Sequence, residues 1–170
     1  MDRSQYYYFE KEWVWKRIDY DKAFWYQCVD LIKQYMYEVL WISPGKTGNA
    51  NEMWTNKYGC FDKMWTQITW TKDLMQGDII FSLNGPTGHV AIVDRIVNGQ
   101  IQVLEQNGSG QNSGNWLGAN AIRLHTYSPS FFVWVWRCEK IFENLQKERS
   151  YCDVQIKTTQ DYKASIRYQE

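Results

Sequence analysis

Residues 88–97, GHVAIVDRIV, and residues 100–107, QIQVLEQN, are two apolar, β-branched runs joined by Asn98-Gly99. Asn-Gly between such runs is a strong local signal for an antiparallel hairpin. A lone hairpin is marginal in water, so these runs call for further strands. DIIFSL (78–83), AIRLHTY (121–127) and FFVWVWR (131–137) supply them, the last two around Ser128-Pro129. One helix precedes them. In QCVDLIKQYMYEVLW (27–41), Cys28, Ile32, Tyr35 and Val39 fall on one face, and Pro44-Gly45 ends the pattern. An early helix followed by antiparallel strands predicts an α+β fold. Residues 1–18 carry no clear period, residues 43–60 and 108–120 read as loop, and residues 61–76 are ambiguous. Residues 138–170 are polar and mixed, with room for a short helix over 140–149.

The chain has 170 residues, enough for one domain with a real core. It carries 19 basic and 19 acidic side chains. Net neutrality removes the general case for a nucleic-acid partner. No apolar run reaches membrane-spanning length, so no membrane insertion is expected. MDRSQYYYFEKEW at the start has no apolar core, so no ordinary signal peptide is expected. Cys28, Cys60, Cys138 and Cys152 form no CxxC pair, and two His do not make zinc-site spacing. Two disulfides are arithmetically possible, and a reduced chain fits equally well. Ten Trp and 12 Tyr exceed what a core of this size must hold, so some face solvent, where they suit stacking on sugars or peptides.

The helix start and the hairpin carry the chemistry. Cys28 begins the helix, where free N–H groups and the helix dipole favour a thiolate. A lone helix Cys is more often a small buried residue. Its base is His89 or His125, and His89 has the better surroundings because Glu105 and Asn107 lie on the next strand. Register decides whether they meet. A two-residue Asn98-Gly99 turn sets His89 opposite Gly108 and sends Glu105 to the other face. A three-residue Val97-Asn98-Gly99 turn, with Gly99 in a bulge, sets His89 opposite Asn107 and Ala91 opposite Glu105. Function predicts the bulged turn, while the sequence allows both.

Asp19, Asp21 and Asp30 frame DYDKAFWYQCVD and could hold a hard cation through oxygen ligands. The plainer alternative is loop, capping and first-turn acids. Trp54 and Trp116, in loops near these segments, line a groove or pack in the core.

QCVDL (27–31), GNANEMW (48–54), GDIIF (77–81), GHVAIV (88–93) and LEQNGSG (104–110), in this order, resemble the CHAP domain, the cysteine, histidine-dependent amidohydrolase/peptidase family. The resemblance spans about residues 19–137, most of the chain. It implies a papain-like fold in which the Cys helix packs on an antiparallel sheet of about five to six strands. It sets residues 1–18 as an N-terminal extension, 19–138 as the domain and 139–170 as a C-terminal extension. It implies Cys28 as nucleophile, His89 as base, Glu105 orienting the imidazole and Asn107 supporting it. The Cys28 N–H is the expected oxyanion donor, with Gln27 the less certain second. The implied substrate is bacterial peptidoglycan, cut in its peptide as an endopeptidase or at the sugar–peptide bond as an N-acetylmuramoyl-L-alanine amidase. The rivals are an inactive wall-binding or virion module and a papain-like peptidase acting on protein.

Some phage CHAP endolysins bind calcium at the place of Asp19, Asp21 and Asp30, with the carbonyls of Ala23 and Trp25 able to complete the shell. The Trp25 ring cannot ligate. No cofactor is expected for the chemistry itself, only this structural Ca2+. A monomer is expected, made in the cytoplasm and reaching the wall through a holin or as part of a virion.

Overall fold

The computed structural model describes residues 3–56, 65–68, 74–83, 85–108 and 120–138. Among the described residues three helices, α1 (Arg3–Trp13), α2 (Cys28–Glu38) and α3 (Ala50–Asn56), accompany six strands. These are β1 (Trp65–Ile68), β2 (Ile79–Ser82), β3 (His89–Val97), β4 (Gln100–Glu105), β5 (Arg123–Tyr127) and β6 (Trp134–Cys138). They form one antiparallel sheet in the order β1-β6-β2-β3-β4-β5. The expected α+β architecture, a Cys helix against an antiparallel sheet, is present.

The helix forms for the reason its spacing suggests. Leu31, Ile32, Tyr35 and Met36 are completely buried against Ile79, Phe81, Val90, Ile92, Leu104 and Trp136 of the sheet. Each such side chain contributes about 1.5–3 kcal/mol relative to exposure. The opposite face of the sheet is also covered. There Ile80, Ala91, Val93, Ile101, Val103 and Val135 pack with Tyr127 and Phe132, the latter beside the short 3-10 turn Pro129–Phe131. Burial on both faces explains why the strands read as continuous apolar runs rather than alternating ones. Asp78, fully buried at the start of β2, is held by two hydrogen bonds from Arg137 of β6, at 2.9 and 2.7 Å.

Three elements depart from expectation. Residues 3–13, without visible period, form α1, which sends Tyr6 and Phe9 into the core beside Tyr35. Residues 50–56, expected as loop, form α3. Asn49 precedes it, and its N–H donates to Glu52 Oε2 at 2.7 Å, a local cap. Phe131, expected within the last strand, lies instead in the 3-10 turn. The loop over 109–119 and the helix expected over 140–149 lie outside the described residues.

The hairpin corrects the expected turn. Val97 pairs with Gln100 across a tight two-residue turn in which Asn98 and Gly99 have φ of +51° and +75°. That is the primed geometry Asn-Gly favours. No three-residue turn forms. The extra residue sits instead at Asp94, where a bulge separates the Val93↔Val103 pair from the Arg95↔Gln102 pair. Beyond it, Ile92 faces Leu104, and the register toward the strand end is the one function requires. Asp94 is a polar residue inside an apolar run, buried, and bonded by Arg95 Nε at 2.6 Å and Gln76 Nε2 at 3.3 Å.

Two variants separate the turn from the bulge. Asn98→Ala removes the short polar side chain that lets Asn adopt a left-handed conformation and is expected to cost about 1 kcal/mol in thermal unfolding, with activity kept. Deleting Asp94 removes the extra residue and joins the Val93↔Val103 and Arg95↔Gln102 pairs into one regular ladder, so Ile92 stays opposite Leu104 and the register at the site is kept. That variant is expected to fold and to keep activity, and loss of activity in a folded variant would show that the bend of the bulge, beyond its register, shapes the site.

Candidate active site

The start of α2 and the site end of the β3–β4 hairpin meet along one cleft of about 1080 Å³, lined by Cys28, His89, Asn107 and Gly108 among others. Cys28 is the first residue of α2, so its N–H belongs to the first-turn donors that no intrahelical carbonyl can take. Gln27 precedes it in an extended conformation, and its N–H donates to Asp30 Oδ2 at 2.8 Å. His89 opens β3. The preceding Gly88 has φ of +69°, and a Cβ there would lie 2.9 Å from the Ser82 carbonyl and 3.1 Å from the Asn51 nitrogen. Asn51 of α3 braces the same loop, its N–H donating to Thr87 O at 3.1 Å and its Nδ2 to Pro86 O at 2.9 Å. The GNANEMW segment thus supports the loop that delivers His89.

His89 Nε2 lies 3.0 Å from Glu105 Oε2. Cys28 and His89 line the same cleft, and the Cys28 side chain acts on the imidazole together with Glu105. Burial opposes a charge on the ring. The hydrogen bonds and negative charge of Cys28 and Glu105 outweigh that opposition and raise the His89 pKa to about 9. Glu105 is fully buried. Burial works against its charge, yet His89, Tyr127 and Arg123 hold its carboxyl below the usual range. Tyr127 Oη donates at 2.8 Å and Arg123 Nε at 2.9 Å. Arg123 stands directly opposite Glu105 in the β4–β5 ladder, where a cross-strand ion pair is favoured.

Asn107 is in the cleft wall with φ of +55°, and its Nδ2 donates to Gln27 Oε1 at 3.0 Å. Its described bond therefore runs to the residue before Cys28 rather than to the imidazole. Gln27 lines the cleft, and its Nε2 also donates to Phe24 O at 2.6 Å. His125 lies apart on β5, edge-on to Tyr127. Trp54 is not in the cleft wall. It stacks on Trp134, with centroids 4.4 Å apart and planes at 7°, and is packed against the core. Trp116 and the cysteines Cys60 and Cys152 lie outside the described residues, and Cys28 and Cys138 are buried.

Asp19, Asp21 and Asp30 each bring a carboxylate oxygen within 4.8 Å of the others. Asp19 Oδ1 and Asp30 Oδ1 are buried without a partner. Burial, helped by Asp21 and Asp19, pushes the Asp30 carboxyl up to about 6 against the Gln27 N–H and Lys33. Lys33 Nζ pairs with Asp21, whose Oδ1 accepts the Ala23 N–H at 3.0 Å. Lys22, Phe24 and Trp25 all have positive φ, so the loop is held in a strained course around these carboxylates. The Trp25 side chain is exposed.

Four residues of this site escaped sequence reasoning. Arg123 and Tyr127 sit on a strand whose register cannot be read across the long 108–120 loop. Gln106, fully buried, accepts the Ile18 N–H at 2.8 Å and donates to Ile18 O at 2.7 Å and Gln27 O at 2.8 Å. Its only signal was its place between Glu105 and Asn107. Gly108 packs under the carboxylate, since a Cβ there would fall 2.1 Å from Glu105 Oε2. Gly108→Ala is expected to displace Glu105, lower the His89 pKa from about 9, and reduce activity at least tenfold while the fold persists. Imidazole NMR titration and circular dichroism check this together.

No curated protein sequence matches the chain. Among solved structures it is similar to the wild type endolysin LysIME-EF1, with TM-score 0.63 and 19% identity over 80% of this chain and 63% of that one. It is also similar to Ly7917, with TM-score 0.57 and 17% identity over 81% and 63%. Ly7917 with the hydrolyzing product of MDP gives TM-score 0.52 and 18% identity over 81% and 63%. The chain thus spans 63% of the length of each neighbour, and at these identities the likeness carries the fold. The family model for the CHAP domain matches residues 18–107, more than half of the sequence, from the segment before Cys28 through His89 and Glu105 to Asn107. The chain belongs to the CHAP domain family.

Proposed function

We propose that this chain is a peptidoglycan hydrolase that cuts amide bonds of the bacterial cell wall through a Cys28 thioester. The observation that carries this is Cys28 and His89 together on the wall of one open cleft, with Glu105 hydrogen-bonded to the imidazole behind them. In the first step the Cys28 thiolate attacks the amide carbonyl carbon, and the C–N bond breaks as the His89 imidazolium gives its proton to the leaving amine. The neutral imidazole then takes a proton from water, and the resulting hydroxide attacks the thioester. The new carboxyl product leaves and the thiolate–imidazolium pair returns. Glu105 keeps the imidazole oriented and stabilises its charge, as the acid of a catalytic triad does. The bond cut lies within the stem or bridge peptide, or between muramic acid and L-alanine. Mass spectrometry of released muropeptides tells these apart.

The carboxylates of Asp19, Asp21 and Asp30 fit a structural Ca2+, with Ala23 and Trp25 offering backbone carbonyls. Two orphaned buried carboxylate oxygens and a neighbouring Lys33 ammonium indicate a site that demands positive charge. When bound, Ca2+ supplies that charge and braces the loop ahead of Cys28. Among the described residues no helix is long and apolar enough to cross a membrane.

Wild-type protein is expected to clear suspensions of purified cell wall, and Cys28→Ala to be slower by roughly 10⁴-fold or more. Equal clearing by the two would sink the thiol mechanism, and absence of clearing by both would point to a binding module. The imidazolium must be present to protonate the leaving amine, so activity is expected to fall as pH rises through about 9. In Cys28→Ala, which removes an anion beside the ring, the His89 NMR titration is expected at lower pH. The sign carries over to stability. A raised imidazole pKa stabilises the fold fully below about 6.5, and that contribution is lost as pH rises toward about 9.

Calcium at about 100 times its Kd adds roughly 2.7 kcal/mol to stability, which for a domain of this size raises Tm by about 5–10 °C. Asp30→Asn is expected to abolish that rise. An unchanged melting curve in calcium would remove the metal from the account.

A further inference from the structure

Two consecutive residues after β4 grip the residue before the nucleophile. Gln106 Nε2 donates to the Gln27 carbonyl at 2.8 Å, and Asn107 Nδ2 donates to the Gln27 side-chain oxygen at 3.0 Å. We infer that Gln106 and Asn107 are positioning residues that fix the backbone and side chain of Gln27, and so aim the Cys28 N–H and a Gln27 amide N–H at the oxyanion formed in the cleft. This rests on the thioester mechanism proposed above.

The backbone half follows from peptide geometry. In a planar trans peptide the carbonyl oxygen and the next N–H point in opposite directions. The Gln27 oxygen is turned inward, onto the fully buried Gln106 amide and the Asp30 N–H at 3.1 Å. The Cys28 N–H of the same peptide unit is therefore directed away from that buried side, and Cys28 lines the cleft. A flip of this one peptide would remove the donor, so the hold on the carbonyl decides whether the oxyanion site exists before substrate arrives. Such preorganised donors supply a large share of transition-state stabilisation.

The Gln106 amide can sit only one way. Its oxygen accepts the Ile18 N–H at 2.8 Å, and its nitrogen serves two carbonyls, Ile18 O at 2.7 Å and Gln27 O. Turned over, the oxygen would face both carbonyls and the nitrogen would face an N–H. Anchoring to Ile18 on one side lets it hold Gln27 on the other without moving.

The side-chain half follows from the same inventory. Asn107 donates to the Gln27 oxygen, which fixes which end of that amide is nitrogen. One N–H of Gln27 Nε2 goes to Phe24 O at 2.6 Å. An amide nitrogen carries two, and the second belongs to a residue in the cleft wall.

Two variants test this with readouts that a merely structural role leaves alone. Gln106→Glu keeps the acceptor for Ile18 and replaces both donations with a carboxylate oxygen. Asn107→Gly keeps the left-handed backbone and releases the Gln27 amide. Cys28 alkylation by iodoacetamide needs the thiolate but forms no oxyanion. Gln106→Glu is expected to lower kcat on purified cell wall by about 10²–10³, with KM changed little. Asn107→Gly is expected to lower kcat roughly tenfold or more. In both, the alkylation rate stays within about twofold and the His89 titration stays near 9. Unchanged kcat overturns the inference. So does a parallel fall of kcat and alkylation, which would mean the thiol itself is displaced. A lowered His89 titration in Asn107→Gly would place Asn107 on the imidazole instead. If Gln106→Glu does not fold by circular dichroism, Asn107→Gly decides alone. Clearing by Cys28→Ala at the wild-type rate would instead overturn the thioester mechanism.

Discussion

An ionised carboxylate with no solvent access is costly unless its charge is met, and Glu105 is such a group. Its oxygens take bonds from His89, Arg123 and Tyr127, which come from the strands on either side of β4. In the proposed thiol mechanism Cys28 supplies a second anion, and the site then holds two anions and two cations in alternation: Cys28, His89, Glu105, Arg123. The sum is neutral, which is what a dry site can sustain. Arg123 matters here because it balances Glu105 without spending the charge of His89. The imidazolium can then balance the thiolate. This arrangement explains why a buried ring, whose burial alone would favour neutrality, is held protonated to about 9.

The geometry behind that balance depends on a single extra residue. The Asn98-Gly99 turn by itself would send Glu105 into the apolar layer against α2. The bulge at Asp94 shifts the register before the strand reaches the site. The next residues extend the effect. Gln106 and Asn107 tie the end of β4 to Gln27, so one stretch, 105–107, holds His89 through Glu105 and the residue before Cys28 through its two neighbours. Segments some 80 positions apart in the chain are joined by hydrogen bonds of 2.8 and 3.0 Å.

Much of this was legible beforehand, for identifiable reasons. The helix at Cys28 declared itself because its buried face repeats at helical spacing. The hairpin declared itself because Asn-Gly suits only a narrow set of turns. The meeting of His89 with Glu105 was legible only as a condition, that one residue must be inserted somewhere in the pair. The sequence allowed either turn, and the functional requirement placed the insertion at Val97–Gly99, where a three-residue turn could supply it. The insertion lies at Asp94, whose signal was weaker: one acid inside an apolar run. Helix α1 was hidden because its aromatics face both core and solvent, with Tyr6 buried and Tyr8 exposed. Arg123 was hidden because the loop before it leaves the β5 register free. Gln106 and Gly108 were hidden because their roles lie in close approach, which has no pattern in sequence. Trp54 shows the converse error, since a loop Trp suggested a groove and the ring stacked into the core.

The central claim is that Cys28 forms the bond to substrate. Rapid acid quenching of the protein during turnover of solubilised wall fragments, followed by mass spectrometry, tests it most directly. The account predicts a muropeptide acyl adduct that maps to the peptide containing Cys28, is labile to hydroxylamine, and is absent from Cys28→Ala. Wall cleavage by the wild type with an adduct on another residue, or cleavage that persists in Cys28→Ala, would contradict it.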